Sequence, residues 1–231
     1  MKSLTRKFRS QIVHGAQYRG YPIMATKGPF VAKYLDKIIE VMNRSLDEHP
    51  RTFAVRFDLQ IPAIEWGLAE DRLIDRFISS LKEKIKWARI KSARQSKAGR
   101  VHETGVRYVW ARELPQRGRV HYHFVLFLNR DAFNAIGVYE LGRDNLFNRV
   151  LEAWSGALRM DVDDALGLVH FPENAIYRVT EGDVGSQDRL LRRASYLAKV
   201  STKVVGSRHS FGSSRERRAA RSRFARPRIQ L

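Results

Sequence analysis

The segment Gly118 to Asn129, GRVHYHFVLFLN, sets two histidines one residue apart at the head of an apolar run. In an extended strand, side chains two apart share a face, so His121 and His123 point one way while Tyr122, Phe124 and Leu126 point the other. Imidazoles about 7 Å apart along one face can converge on a single ion. Glu113 lies upstream. If the two strands form a hairpin that pairs odd positions with odd, its carboxylate joins the histidine face; a turn of the other parity sends it to the opposite side. Two imidazoles and a carboxylate leave coordination positions open for a phosphate oxygen, a donor set that suits manganese, zinc and in part magnesium. The competing reading is a half-polar strand whose histidines hydrogen-bond locally.

A second chemical signal is Arg192 to Lys203, RRASYLAKVSTK. On a helix, Tyr196, Lys199 and Lys203 share one face, which presents a phenol followed by two ammonium groups. A phenol is ionised only about one part in a thousand at neutral pH, so a tyrosine nucleophile needs cationic neighbours or a metal. The plainer alternative is a tyrosine packed on a sheet beside solvated lysines. Tyr177 and Tyr108 are the other candidate nucleophiles, each without a following lysine at helical spacing. Asp58 faces the polar side of its strand and is a reserve metal or support residue. His14, His49, His102, His170 and His209 are isolated and read as surface or locally bonded residues.

Elements able to position these groups follow from hydrophobic periodicity. Phe30, Val31, Tyr34, Leu35, Ile38, Val41 and Met42 recur at three- and four-residue intervals, predicting a helix that ends before Pro50. Phe53, Val55, Phe57 and Leu59 alternate with Ala54, Arg56, Asp58 and Gln60, predicting a strand closed by Pro62. A second long helix is predicted from about Asp71, with a basic far end. Val106 to Glu113 and Val120 to Asn129 read as a hairpin around the turn-like Leu114 to Gly118. A helix carrying Leu146 to Leu158, a strand near Leu168 to Val179 and a helix from about Gln187 to Lys203 complete the order. Hairpins mixed with helices indicate an α+β fold, a central, mainly antiparallel sheet with packed helices.

Three regions emerge. Residues 1–29 carry six basic residues and no acid and read as a basic N-terminal arm. Residues 30–205 form the domain. Residues 206–231 form an Arg-rich tail expected to be disordered until bound, in which Arg215, Arg217 and Arg218 are candidate nucleic-acid contacts together with Arg192 and Lys203. The net charge of +19 calls for a polyanionic partner, and nucleic acid is the first candidate. With no cysteine, thiolate zinc sites, disulfides and cysteine nucleophiles are excluded, so any metal must use histidine and carboxylate. No apolar run is long enough to span a bilayer, which implies no membrane role and a cytoplasmic protein.

Taken together, HYHFVLF at His121 to Phe127 and SYLAKVSTK at Ser195 to Lys203 resemble the HUH endonuclease superfamily, named for two histidines separated by a bulky residue. AVRFDL at Ala54 to Leu59 occupies the place of the early strand motif of its replication initiators. Among these, the chain looks most like the replication proteins of filamentous phages (inoviruses) and related prophage-encoded proteins, over roughly residues 30 to 212. The resemblance implies that Glu113, His121 and His123 hold Mn²⁺ or Mg²⁺, that Tyr196 attacks a DNA phosphate, and that Lys199 positions or neutralises charge. The products are a 5′-phosphotyrosyl link and a free 3′-hydroxyl, which starts rolling-circle replication in a bacterial host. The partners implied are single-stranded DNA at an origin, a polymerase and, since no phosphate-binding GxxxxGK[ST] loop is present, a separate helicase. The alternatives are a non-catalytic single-stranded nucleic-acid-binding module that displays Tyr122 and Phe124, and an HUH transposase or relaxase.

Overall fold

A computed structural model of the protein describes residues 12–62, 72–97, 101–113, 120–200 and 210–215. The chain opens with four short strands, β1 (Ile12–Val13), β2 (Gln17–Tyr18), β3 (Tyr21–Pro22) and β4 (Phe30–Val31), and then helix α1 (Ala32–Glu48). Next come β5 (Arg51–Gln60), α2 (Leu73–Gln95), β6 (Arg107–Glu113), β7 (His121–Asn129) and α3 (Leu146–Leu158). A short α4 (Val162–Ala165), β8 (Val169–His170), β9 (Ile176–Thr180), α5 (Val184–Ala194) and β10 (Phe211–Ser213) follow. The fold is α+β. Its main sheet runs β10-β6-β7-β5, all antiparallel, and β8 and β9 both pair with the free edge of β5. Among the described residues, no helix is long and apolar enough to cross a membrane.

The period-2 alternation of the strands builds a different core on each side of this sheet. Phe57, Leu59, Tyr122, Phe124 and Leu126 pack one face against Phe77, Leu81 and Ile85 of α2 and Val150, Leu151 and Trp154 of α3. Ala54, Val109, Ala111, Val125 and Phe127 turn to the other face, where Leu35, Ile38 and Met42 of α1 and Leu190, Leu191 and Ala194 of α5 cover them. Trp154 is fully buried and still satisfies its indole by donating to the Gln60 carbonyl at 3.0 Å.

Four expectations need correction. Residues 12–29, read as an arm, are part of the fold. β1 pairs with β4, β2 with β3, Ile23 is buried, and Met24 N donates to Ser195 Oγ at 3.0 Å. Strands of two residues are too short to show a period, so composition alone suggested an arm. Likewise residues 210–215, assigned to a disordered tail, add β10 to the sheet edge, where Phe211 stacks on Tyr34 with ring centroids 4.3 Å apart. Gly212 is required there, because a Cβ would lie 2.5 Å from the Trp110 ring. The strand expected near Leu168 to Val179 is two strands, broken where Pro172 removes a ladder donor. The last helix is α-helical only to Ala194; Ser195–Ala198 tightens to a 3-10 turn and Lys199 is extended at φ −57° and ψ 143°. The N-terminal segment imposes this ending, since Val200 N donates to the Pro29 carbonyl and Lys199 bridges to Phe30.

Candidate metal centre and nucleophile site

The face covered by α1 and α5 changes character at one end. Past Ala54, Ala111 and Val125, the inward positions become Arg56 and Asp58 on β5, Glu113 on β6, and His123 and His121 on β7. The hairpin has the parity that brings Glu113 to the histidine face, directly opposite His121, while Asp58 lies directly opposite His123. Each of these side chains is therefore fixed by the hydrogen-bond ladder as well as by its own contacts. Glu113 and His123 are buried, and His121 remains partly exposed, with 25% of its side chain accessible. The cluster opens to solvent on the His121 side.

Glu113 Oε2 lies 3.2 Å from His123 Nε2 and 3.6 Å from His121 Nε2, and the ligand atoms of the three residues all fall within 4.8 Å of one another. On its other ring nitrogen, His123 Nδ1 meets Asp58 Oδ1 at 2.6 Å. Burial raises the Asp58 carboxyl, but the hydrogen bond from His123 and the charges of His123, Arg56 and His121 outweigh it and hold the group below its usual range. An ionised carboxylate only accepts, so the proton of this bond resides on Nδ1. His123 Nε2 is the ring nitrogen that faces Glu113. Burial likewise raises Glu113, while hydrogen bonds from His121 and His123, the charge of His123 and a hydrogen bond from Lys199 pull it well below the carboxylate range.

The outcome is a buried imidazole nitrogen that stands 3.2 Å from an ionised oxygen. Two acceptors at that separation repel unless a cation lies between them, either a proton or a metal ion. The residues therefore fit a divalent ion, with two imidazole nitrogens and one carboxylate as ligands and Asp58 as the outer partner that sets the tautomer and ring orientation of His123.

Tyr196 and Lys199 complete the cluster from the end of α5. Lys199 Nζ lies 3.0 Å from Glu113 Oε1, donates to the Tyr196 hydroxyl, and sits 4.0 Å from the centroid of that ring. The Tyr196 ring stands edge-on to the His123 imidazole, with centroids 4.9 Å apart, and 5.7 Å from the Arg56 guanidinium. A phenol oxygen is thus one ammonium group away from the carboxylate of the proposed ligand set.

The other sequence candidates fall elsewhere. Arg192 is exposed on α5, and Arg215 is exposed just past β10, beside Tyr108 on the opposite face of the sheet. Lys203, Arg217 and Arg218 lie outside the described residues. Among the alternative nucleophiles, Tyr177 shares the site face, opposite Ala54, while Tyr108 lies on the other face with Lys82 Nζ 5.3 Å from its ring centroid. Arg56 was not singled out in the sequence, although the alternation of FAVRFDL sets it on the same polar face as Asp58.

Comparison with known proteins places these residues in a family. The YagK/YfjJ C-terminal domain matches residues 13–214, a span that runs from the end of β1 through β10 and includes every ligand named above. The uncharacterized protein YagK of Escherichia coli (strain K12) is 35% identical over 201 residues, covering 82% of this chain and 95% of the relative. The uncharacterized protein YfjJ of the same organism is 34% identical over 201 residues, covering 81% of this chain and 96% of the relative. No solved structure matches. The chain belongs to the YagK/YfjJ C-terminal domain family.

Proposed function

We propose that the protein is a metal-dependent, single-strand DNA nicking enzyme of the HUH type, with Tyr196 as nucleophile, that starts rolling-circle replication of a phage or prophage element. One observation carries it: a single ammonium group, Lys199 Nζ, links the Tyr196 hydroxyl to Glu113, whose other oxygen faces both histidine Nε2 atoms. When bound by Glu113, His121 and His123, Mn²⁺ or Mg²⁺ supplies Lewis-acid polarisation of a phosphate oxygen. Tyr196 Oη attacks phosphorus as its proton leaves to solvent. The P–O3′ bond breaks, and the departing 3′-oxygen takes up a proton from water. Lys199, donating to the phenol oxygen, steadies the negative charge on Tyr196 as the proton departs. Asp58 holds the His123 ring in the tautomer that turns Nε2 to the site.

A simple binding module loses its aromatic platform, because Tyr122 and Phe124 are buried beneath α2 and α3 and cannot stack on bases. The test is a denaturing gel of labelled single-stranded DNA from the element that encodes the chain, across a Mn²⁺ titration. Wild type should give a metal-dependent covalent adduct. Tyr196→Phe should abolish it while leaving metal and DNA binding nearly intact. His123→Ala should lose adduct together with metal affinity and regain part of it in excess Mn²⁺. An adduct that persists in Tyr196→Phe moves the nucleophile to another residue, with Tyr177 next. Absence of any metal-dependent adduct in wild type overturns the nicking activity.

A further inference from the structure

Two arginines stand beside the ligand cluster, and Arg56 touches it, one terminal nitrogen lying 3.2 Å from His123 Nδ1. Arg56 is 5% exposed, in the middle of β5 on the site face. One terminal nitrogen reaches Asp58 Oδ1 at 3.1 Å, while its Nε is buried with no hydrogen-bond acceptor among the described residues. Arg193, three residues before Tyr196 on the last turn of α5, has a buried Nε in the same condition and no ion pair among the described residues. Arg193 lies one helical turn before Tyr196, whose ring is 5.7 Å from the Arg56 guanidinium, and the charges of both arginines reach the half-buried phenol of Tyr177. Tyr177 projects from β9 on the same face, opposite Ala54.

Asp58 is the nearest compensating anion, and it already serves His123. Two neighbouring guanidiniums, each with an unpaired N–H withdrawn from water, are unfavourable until an anion arrives. Guanidinium forks match phosphate oxygens in shape and charge, and a phenol adds one further donor. Position adds a constraint. The metal ligands come from β6 and β7, whereas Arg56 and Tyr177 come from β5 and β9, and the Tyr196 ring lies against both His123 and Arg56, its centroid 4.9 Å from the imidazole and 5.7 Å from the guanidinium.

We propose that Arg56, Arg193 and Tyr177 form a second phosphate subsite, which takes a phosphodiester neighbouring the one that Tyr196 attacks. It rests on the nicking activity proposed above. A single strand crossing the sheet is then held at a second phosphate on the β5–β9 side of the ligand cluster, next to the bond to be cut. Such a grip fixes the strand's path and so the attack geometry.

The test uses the full chain with isotope-labelled arginine and no metal. A doubly blocked dithymidylate, which carries one phosphodiester, and a short single-stranded oligonucleotide are titrated while the Nε–H resonances of Arg56 and Arg193 are followed. Both resonances should move on one saturating curve. Arg193→Gln should weaken oligonucleotide binding about tenfold and flatten the slope of log affinity against log salt by about 0.7, the contribution of one phosphate on a single strand. Arg193→Lys should fall between Arg193→Gln and wild type, because it keeps charge but loses the fork. Unmoved resonances at saturating oligonucleotide overturn the subsite, as does Arg193→Gln binding with wild-type affinity and slope. A response to inorganic phosphate alone, without one to either nucleic acid, also overturns it as an adventitious anion site. The two proposals fail separately: moving resonances without any covalent adduct leave the subsite and remove the nicking activity, and an adduct with an indifferent Arg193 does the reverse.

Discussion

The two faces of one sheet are built by alternate residues of the same strands, yet they do opposite work. Under α2 and α3, rings meet rings: Phe77 packs against Phe124 and Trp154 with centroids 5.4 Å and 5.7 Å away and near-perpendicular planes. Under α1 and α5 the strands contribute mostly small residues, and at one end this layer gives way to Arg56, Asp58, Glu113, His121 and His123. Gathering two carboxylates, a guanidinium and an ammonium in a largely buried patch contributes little net stability, since desolvation offsets most of the attraction. The aromatic face must therefore supply the rigidity that keeps the site pairs in register. The aromatic core and the proposed site are separated by a single-residue step along each strand.

The largest expected effect comes from the aromatic face. Phe77→Ala removes a fully buried ring that touches Phe57, Phe124 and Trp154, and should cost about 3–5 kcal/mol of folding stability, read from the denaturant midpoint. A loss below about 1 kcal/mol would show that this face is not the stabilising one.

The proposed metal gives the intermediate effect, on the other face. At a free Mn²⁺ concentration a hundredfold above its dissociation constant, the folded state should gain about 2.7 kcal/mol, visible as a rise in the thermal midpoint. His123→Ala should lose this gain, whereas Phe77→Ala, if it is still folded, should keep it whole. Loss of the gain in Phe77→Ala would mean that the two faces are coupled more tightly than their separate packing implies.

Much of this division was legible in the sequence. The alternation of Phe53 to Leu59 and the HYH spacing fix which side chains share a face, whatever lies beyond the strands. The carboxylate was legible only conditionally, because Glu113 joins the histidines under one hairpin parity and leaves them under the other. Tyr196 and Lys199 meet although the expected helix does not continue, since residues three apart are neighbours in an α-helix and eclipsed in a 3-10 turn. The seven-residue reach to Lys203 had no such protection, as it required α-helix through a position that is extended. β2 and β3 pair locally across Arg19 and Gly20, but the docking of residues 12–31 on the domain and the pairing of β10 depend on contacts distant in sequence, which two- and three-residue strands cannot announce.

The smallest effect tests whether charge acts differently off the site. Asp144 accepts from Lys91 Nζ at 2.6 Å and pairs with Arg149, tying α2 to the start of α3 over the aromatic face. The hydrogen bond from Lys91 comes first in lowering its carboxyl, burial opposes, and the charge of Arg149 adds to the lowering. A folded value below the unfolded one means that the stabilisation is full above the unfolded range near 4 and fades as pH falls through the folded value. Because the pair is largely exposed, Asp144→Asn should cost only about 0.2–1 kcal/mol at neutral pH, and less in high salt. Thermal midpoints from about pH 6 down to about pH 2 should therefore converge for wild type and Asp144→Asn at the acid end. Curves that stay parallel would show that Asp144 acts through packing rather than charge. Charge-sensitive chemistry would then be confined still more sharply to the histidine face.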